Sequence, residues 1–403
     1  MSLATRYLRI WILATLTLLA AVAAFNLMVD PYDLFRVISW EGFNRIKSRA
    51  GQKAVLFKRE NFRRMQPNAL ILGNSRAEIG FDPDCPAWPA ALRPVFNLAL
   101  PGSGPHSALE ELQWAQDIKM PRLVLMGLDF LDFRVAPSPR IGIASPPVRS
   151  DDPLQRLRDR TMALVTINAL VDSLGTLKAQ RDPYSPALTD AGFNPARDLL
   201  GIARREGYDP MFRQRDQENA KSYVRGPKSI YRADGRPAPE FDAVGRIISA
   251  AHDRKATLIL VIYPYHAHML VLFQKAGLWA AFEAWKRDLV KLLETSPSGA
   301  EVELWDFSSF LTYANEKVPG PGDTKSELQW YWEAGHFKKS LGDIMLTRIF
   351  NNRESNEQWG RRLLPQNIEE HLRQMRLARD EYERLNPAEV ADLAGLVDLA
   401  ITR

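Results

Sequence analysis

The stretch Ala69-Leu70-Ile71-Leu72-Gly73-Asn74-Ser75-Arg76 decides the fold of this chain. Four consecutive apolar residues closed by a polar turn read as a strand buried on both faces, the habit of a parallel sheet. Further runs of this kind occur at 95–98, 123–126, 258–262 and 302–305. Helical patterns at 106–118, 241–252 and 278–293 fall between most of them, and strands alternating with helices predict a doubly wound α/β sheet of five parallel strands. Helices are also expected at 154–177, 341–350 and 368–385.

Composition bounds what surrounds this sheet. Of 403 residues, 46% are hydrophobic, 25% charged and 10% aromatic, which excludes disordered, collagen-like and coiled-coil chains. Lys+Arg at 53 against Asp+Glu at 48 leaves a net charge of +5, too small and too mixed to mark a nucleic-acid binder. The lone Cys85 rules out an intramolecular disulfide and a cysteine-rich zinc site.

Residues 10–29 (IWILATLTLLAAVAAFNLMV) carry no charge. Twenty helical residues at ~1.5 Å each cover the roughly 30 Å hydrocarbon core, and no other run is long enough, so a polytopic membrane protein is excluded. Arg6 and Arg9 precede the span, and Ala21-Val22-Ala23 offers a cleavage site. An uncleaved signal anchor over 1–29 is expected, because the run exceeds the length of an ordinary signal peptide. The N-terminal arginines place the bulk of the chain in the periplasm on a single-pass inner-membrane anchor, although Arg36, Arg45 and Lys47 pull the other way.

Residues 30–66 read as a basic stalk, with Arg45, Lys47, Arg49, Lys53, Lys58, Arg59, Arg63 and Arg64 against only Glu41 and Glu60 from residue 41 on. The main domain is expected over 67–352, interrupted by an insertion at 135–235 that caps the sheet edge, and 353–403 forms a charged helical tail.

Ligands of an open parallel sheet bind beyond the carboxyl ends of its strands. Three clusters fall there: Gly73-Asn74-Ser75-Arg76 after the first strand, Asn97 to Gly104 after the second, and Glu333-Ala334-Gly335-His336 before the last helix. In this order they resemble the SGNH/GDSL hydrolase superfamily over about residues 67–352. Within it they are most similar to the membrane-anchored branch of periplasmic alginate O-acetylation proteins, and more distantly to the D-alanyl transfer protein of teichoic acid. The resemblance implies a three-layer α/β/α, flavodoxin-like domain with Ser75 as nucleophile, His336 as base and Glu333 in the place of the usual Asp. Ser75 and Gly102 would supply oxyanion N–H groups, with no cofactor and no metal. It also implies a polysaccharide acceptor and a membrane O-acyltransferase partner that supplies acyl groups.

One departure stands out. Asp129 occupies the position where the superfamily offers an Asn side chain to the oxyanion, and an ionised carboxylate cannot donate. If Asp129 faces the oxyanion, Asp129→Asn is expected to raise esterase activity, while Arg76 or Asn74 stands in as donor. Asn74, Arg76, Asp129, His266 and Trp332 are therefore candidate substrate contacts. His266-x-His268 has zinc-ligand spacing but no third cluster nearby in sequence, and Asp306 at the end of the fifth strand is a candidate loop cap or sugar contact. Two function classes remain open: a serine-dependent acyltransferase or esterase acting on a polysaccharide, and a glycan-binding or assembly protein that uses the same cleft without turnover.

Overall fold

A computed structural model describes residues 3–135, 152–297, 299–351 and 359–402. Its helices are α1 (Leu3–Val29), α2 (Ala54–Met65), α3 (Ser75–Gly80), α4 (Pro105–Gln116), α5 (Pro153–Val165), α6 (Ile167–Ala179), α7 (Arg197–Glu206), α8 (Tyr208–Arg225), α9 (Pro239–Asp253), α10 (Ala267–Lys275), α11 (Trp279–Glu294), α12 (Lys339–Phe350), α13 (Ile368–Leu385) and α14 (Pro387–Thr402). The strands are β1 (Ala69–Leu72), β2 (Val95–Asn97), β3 (Leu123–Leu128), β4 (Thr257–Ile262), β5 (Val302–Asp306), β6 (Tyr331–Glu333), β7 (His336–Phe337) and β8 (Arg361–Arg362).

The chain divides into two compact units, the first made of the described residues of Met1–Asn61, Arg149–Asp190 and Asn194–Asp198. Here the expected stalk is not a stalk. The carbonyls that end α1 find partners in the segment after it: Asn44 Nδ2 donates to Met28 O at 2.8 Å and Lys47 Nζ to Val29 O at 3.0 Å. The Asp30 carboxylate accepts from the backbone N–H groups of Leu34, Phe35 and Arg36 at 2.8, 3.0 and 2.8 Å. Two of the basic residues of that stretch are thus consumed within the fold, Lys47 as a helix cap and Arg49 against Asp172 at 3.7 Å. The single helix expected at 154–177 is two, α5 and α6, bent by 64° where Thr166 caps the second.

The second unit holds the sheet, in the order β2-β1-β3-β4-β5-β8. All five expected strands occur and are parallel; a sixth, β8, pairs antiparallel with β5 through Trp305↔Arg362 and Asp306↔Arg361. Two charged residues make no apolar run, which is why sequence periodicity misses this edge strand. β1, β2 and β3 are buried along their whole length, as a parallel sheet requires. The expected insertion at 135–235 does not form one body, because α5 and α6 belong to the first unit and α8 to the second. Residues 136–151 of that insertion and 352–358 of the expected tail lie outside the described residues.

Asp306 is neither loop cap alone nor sugar contact. It is fully buried, with Lys286 Nζ at 2.6 Å and His371 Nε2 at 2.7 Å, so that α11, β5 and α13 close on one buried polar triad. Burial would raise its pKa, but Lys286 and His371 override it and hold the carboxyl well below the usual range.

Candidate active site

Strand order reverses between β1 and β3, the place where doubly wound sheets leave a crevice, and the loops after both strands meet there. Asn74 is the N-cap of α3, its Oδ1 accepting from Arg76 N–H at 3.0 Å, and Ser75 takes the first helical position. The turn is held from beneath by Tyr263, whose hydroxyl lies 3.4 Å from Asn74 N. Two glycines admit that ring: an added Cβ would lie 2.4 Å from the Tyr263 hydroxyl at Gly73 and 2.1 Å from it at Gly127.

Glu333 and His336 belong to a small hairpin, β6 and β7, in which they are cross-strand partners over the Ala334-Gly335 turn. Ser75 Oγ lies 2.8 Å from His336 Nε2, and His336 Nδ1 bonds Glu333 Oε1. Glu333 Oε2 accepts from Gly335 N–H at 2.8 Å and from Arg215 Nε at 3.0 Å. Burial pushes the Glu333 carboxyl up, but His336 and Arg215 outweigh it and leave the pKa at about 2. An ionised Glu333 takes Nδ1–H, so a neutral imidazole presents its Nε2 lone pair to the serine hydroxyl.

The loop after β2 is tied to the turn that bears Ser75. Leu100 N–H and Ser103 Oγ both donate to Gly73 O, at 2.9 and 3.0 Å, and Gly102 sits between them with φ +70°. Asn97 is fully buried and structural: its Nδ2 donates to Ala77 O and Phe81 O at 2.9 Å each, clamping the end of α3.

Asp129 does not present a bare carboxylate. Oδ2 is engaged by the Arg76 guanidinium and by Asn74 Nδ2 at 3.3 Å, and Oδ1 accepts from Tyr265 OH at 3.0 Å and Leu131 N–H at 3.1 Å. Arg76 also donates from Nε to Gly335 O at 2.5 Å and packs over Tyr265, its guanidinium carbon 5.5 Å from the ring centre. It therefore joins the turn after β1, the loop after β3 and the β6–β7 hairpin. The expectation that Arg76 or Asn74 serves as a spare oxyanion donor is corrected on this ground: both side chains are committed to Asp129.

Two other expected contacts are corrected as well. His266 is 1% exposed, its Nε2 donating to Glu316 O at 2.8 Å and its Nδ1 accepting from His268 N–H at 3.3 Å, so neither nitrogen is left for a substrate. Burial and the neighbouring His268 push its pKa down to about 3. Trp332 is buried, with the Lys338 ammonium 4.3 Å from its ring centre, a packing position rather than an open sugar platform. Among the described residues, no group of three or more His, Cys, Asp or Glu side chains is arranged to hold a metal ion.

Two residues of the site, Arg215 and Asp132, do not stand out in the sequence. Asp132 lies beside Gly104, and burial pushes its carboxyl up to about 7 against the pull of Arg76 and Arg134. Arg215 sits on a helix whose residues gave no apolar period. Asp132, three residues after Asp129 beyond a strand, carried the same positional signal as Asp129 and could have been found by it.

Compared with known proteins, the chain matches no protein-family model and no curated protein.

Proposed function

We propose that this chain is a membrane-anchored, SGNH-type O-acyltransferase or esterase, acting on an exported or cell-surface polysaccharide through an acyl-Ser75 intermediate. The observation that carries the reading is the continuous hydrogen-bonded chain Ser75–His336–Glu333 beyond the carboxyl end of β1. The strand order 2-1-3-4-5 in the parallel part of the sheet, the flavodoxin-like order, supports the superfamily assignment.

In the first half-reaction Ser75 Oγ attacks the acyl carbonyl of a donor ester while His336 Nε2 takes the hydroxyl proton. The N–H groups of Ser75 and Gly102 hold the tetrahedral oxyanion, and the leaving oxygen departs with the proton from His336. In the second, His336 deprotonates a sugar hydroxyl or water, which attacks acyl-Ser75 and regenerates the serine. Asp132, whose carboxyl is pushed up to about 7 by burial and so exchanges between protonated and ionised forms near neutral pH, can donate to or accept from an acceptor hydroxyl. The apolar helix α1 anchors the chain in the inner membrane, the catalytic unit faces the periplasm, and a membrane O-acyltransferase supplies the acyl group.

The alternative, glycan binding without turnover, draws on Asp129, which gives the oxyanion no third donor. Turnover of a small activated acetyl ester separates the two. The enzyme reading expects a covalent acetyl adduct on wild type that is lost in Ser75→Ala. Equal background rates in both proteins, no adduct, and equal polysaccharide binding would replace it with the binding reading.

A further inference from the structure

In the first unit, the helices α5 and α6 are amphipathic the wrong way round for a face in water. On α6 the buried positions are Ala169, Ser173 and Thr176, whereas Ile167, Val171 and Leu174 are 79%, 58% and 55% exposed. α5 continues the outer apolar face with Leu154, Leu157, Met162 and Val165. A helix against an aqueous surface buries its apolar stripe and exposes its polar one. Here the polar groups turn inward: Ser173 Oγ donates to Asn26 Oδ1 at 2.8 Å, Asn26 Nδ2 donates to Leu164 O at 2.7 Å, and Tyr32 OH donates to Asp172 at 2.5 Å. Asn26 belongs to the last turns of α1, so the inverted face is continuous with the long apolar helix. Tyr32, Leu34, Ala163 and Ala169 form the small core beneath that junction.

We infer that the α5–α6 elbow is itself embedded in one leaflet of the bilayer that α1 enters, with Ile167, Val171 and Leu174 against lipid acyl chains. Charge and length agree on its depth. From Thr161 to Leu177 the only ionisable side chain is Asp172, which is hydrogen-bonded inward; Arg156, Arg158 and Arg160 precede this stretch and Lys178 and Arg181 follow it, where headgroups lie. Each helix has 13 residues, so it is about 20 Å long and cannot cross a core of roughly 30 Å. The 64° bend at Thr166 prevents the pair from acting as one straight span. An interfacial elbow, its apolar side sunk about 5–10 Å, satisfies these constraints and keeps both helix ends in the headgroup zone. The inference rests on α1 being a membrane helix and is independent of the acyl-transfer reading.

The test is spin labelling of the full chain, with single cysteines introduced at Ile167, Val171 and Leu174, in phosphatidylcholine/phosphatidylglycerol liposomes. The wild-type chain, whose one thiol at Cys85 is buried, is the labelling blank. Collision with oxygen should exceed collision with a water-soluble nickel chelate at all three positions, as at a label on Leu16 of α1. A label at the exposed Lys291 should show the reverse. Nickel dominance at the three elbow positions, with Leu16 still oxygen-dominated, would overturn the inference while leaving α1 in the membrane. Exclusion of both reagents, together with spin–spin coupling between copies that grows with protein-to-lipid ratio, would overturn it in favour of a second copy on this face. If one cysteine variant fails to fold, either of the others decides.

Discussion

Arg76 and Asp129 form a buried ion pair between the turn that bears Ser75 and the loop that follows β3. Their partners show what the pair does. Arg76 reaches Gly335 O, one residue from His336, and Asp129 receives Asn74, the residue before Ser75. The carboxylate that looked hostile to an oxyanion is thus the anchor of a cation that holds the Ser75 turn and the His336 hairpin together.

That relationship reverses the expected sign of Asp129→Asn. The amide has one acceptor where the carboxylate had two and carries no charge to balance Arg76, so the variant loses at least ~1.5–3 kcal/mol, the worth of a charged hydrogen bond. Thermal unfolding should show a lower Tm, and ester turnover should fall rather than rise. A gain in turnover at unchanged Tm would mean that Asp129 does face the oxyanion.

Substitutions in the proposed triad should differ in rank. Ser75→Ala and His336→Ala each remove the proton-coupled attack, a loss on the order of 10⁶ in kcat, and acylation burst measurements should detect no adduct. Glu333→Gln keeps an oxygen near Nδ1 but loses the charge that stabilises imidazolium, a loss on the order of 10⁴. Equal losses for all three would contradict the role given to Glu333.

In the proposed mechanism Arg215, bonded to Glu333, acts through that carboxylate and not on the substrate. Arg215→Met leaves Glu333 with Gly335 N–H and His336, so kcat should drop about tenfold while KM holds. Losing that cation makes it easier to add a proton to the hydrogen-bonded His336–Glu333 pair, so the acid limb of the kcat profile should move to higher pH. Stability should change by only ~0–1 kcal/mol, since Arg215 is more than a third exposed. A KM effect without a shifted profile would place Arg215 on the substrate instead.

His268 lies between Asp216 at 2.8 Å and Glu389 at 3.2 Å, which joins α10 to α8 and α14. Burial opposes its charge, but the two carboxylates prevail and raise the pKa from 6.5 to about 9. A raised folded-state pKa contributes stability that is complete below 6.5 and lost as pH climbs through about 9. Chemical denaturation between those limits should show stability falling with pH, and His268→Gln should flatten the slope. A slope unchanged in His268→Gln would assign it to other groups.

The chain's local pattern was enough for the five parallel strands, for the long apolar helix, and for the position of Ser75 after β1. These depend on whether a short run is apolar and where it stops, and both are written in consecutive residues. β8 was not legible in this way, because its two arginines join the sheet through the edge that β5 offers them. Nor was the break between α5 and α6 legible, since the bend at Thr166 leaves the apolar period almost intact. Glu333 and His336 were legible as a spaced pair, and only the hairpin register showed that they face each other.

Apart from the Ser75–His336 pair that the resemblance implied, long-range polar partners were not legible. Asp129 reads as an unpaired carboxylate until strand order brings it to Arg76, 53 residues away, and Arg215 means nothing until α8 carries it to Glu333 across 118 residues. His266 looked free for a ligand, and the backbone at Glu316 claims it. Apolar burial follows from local periodicity because any core will accept an apolar face. A charged side chain needs one particular partner at hydrogen-bond distance, and which partner arrives is decided only when the sheet has set the order of its strands.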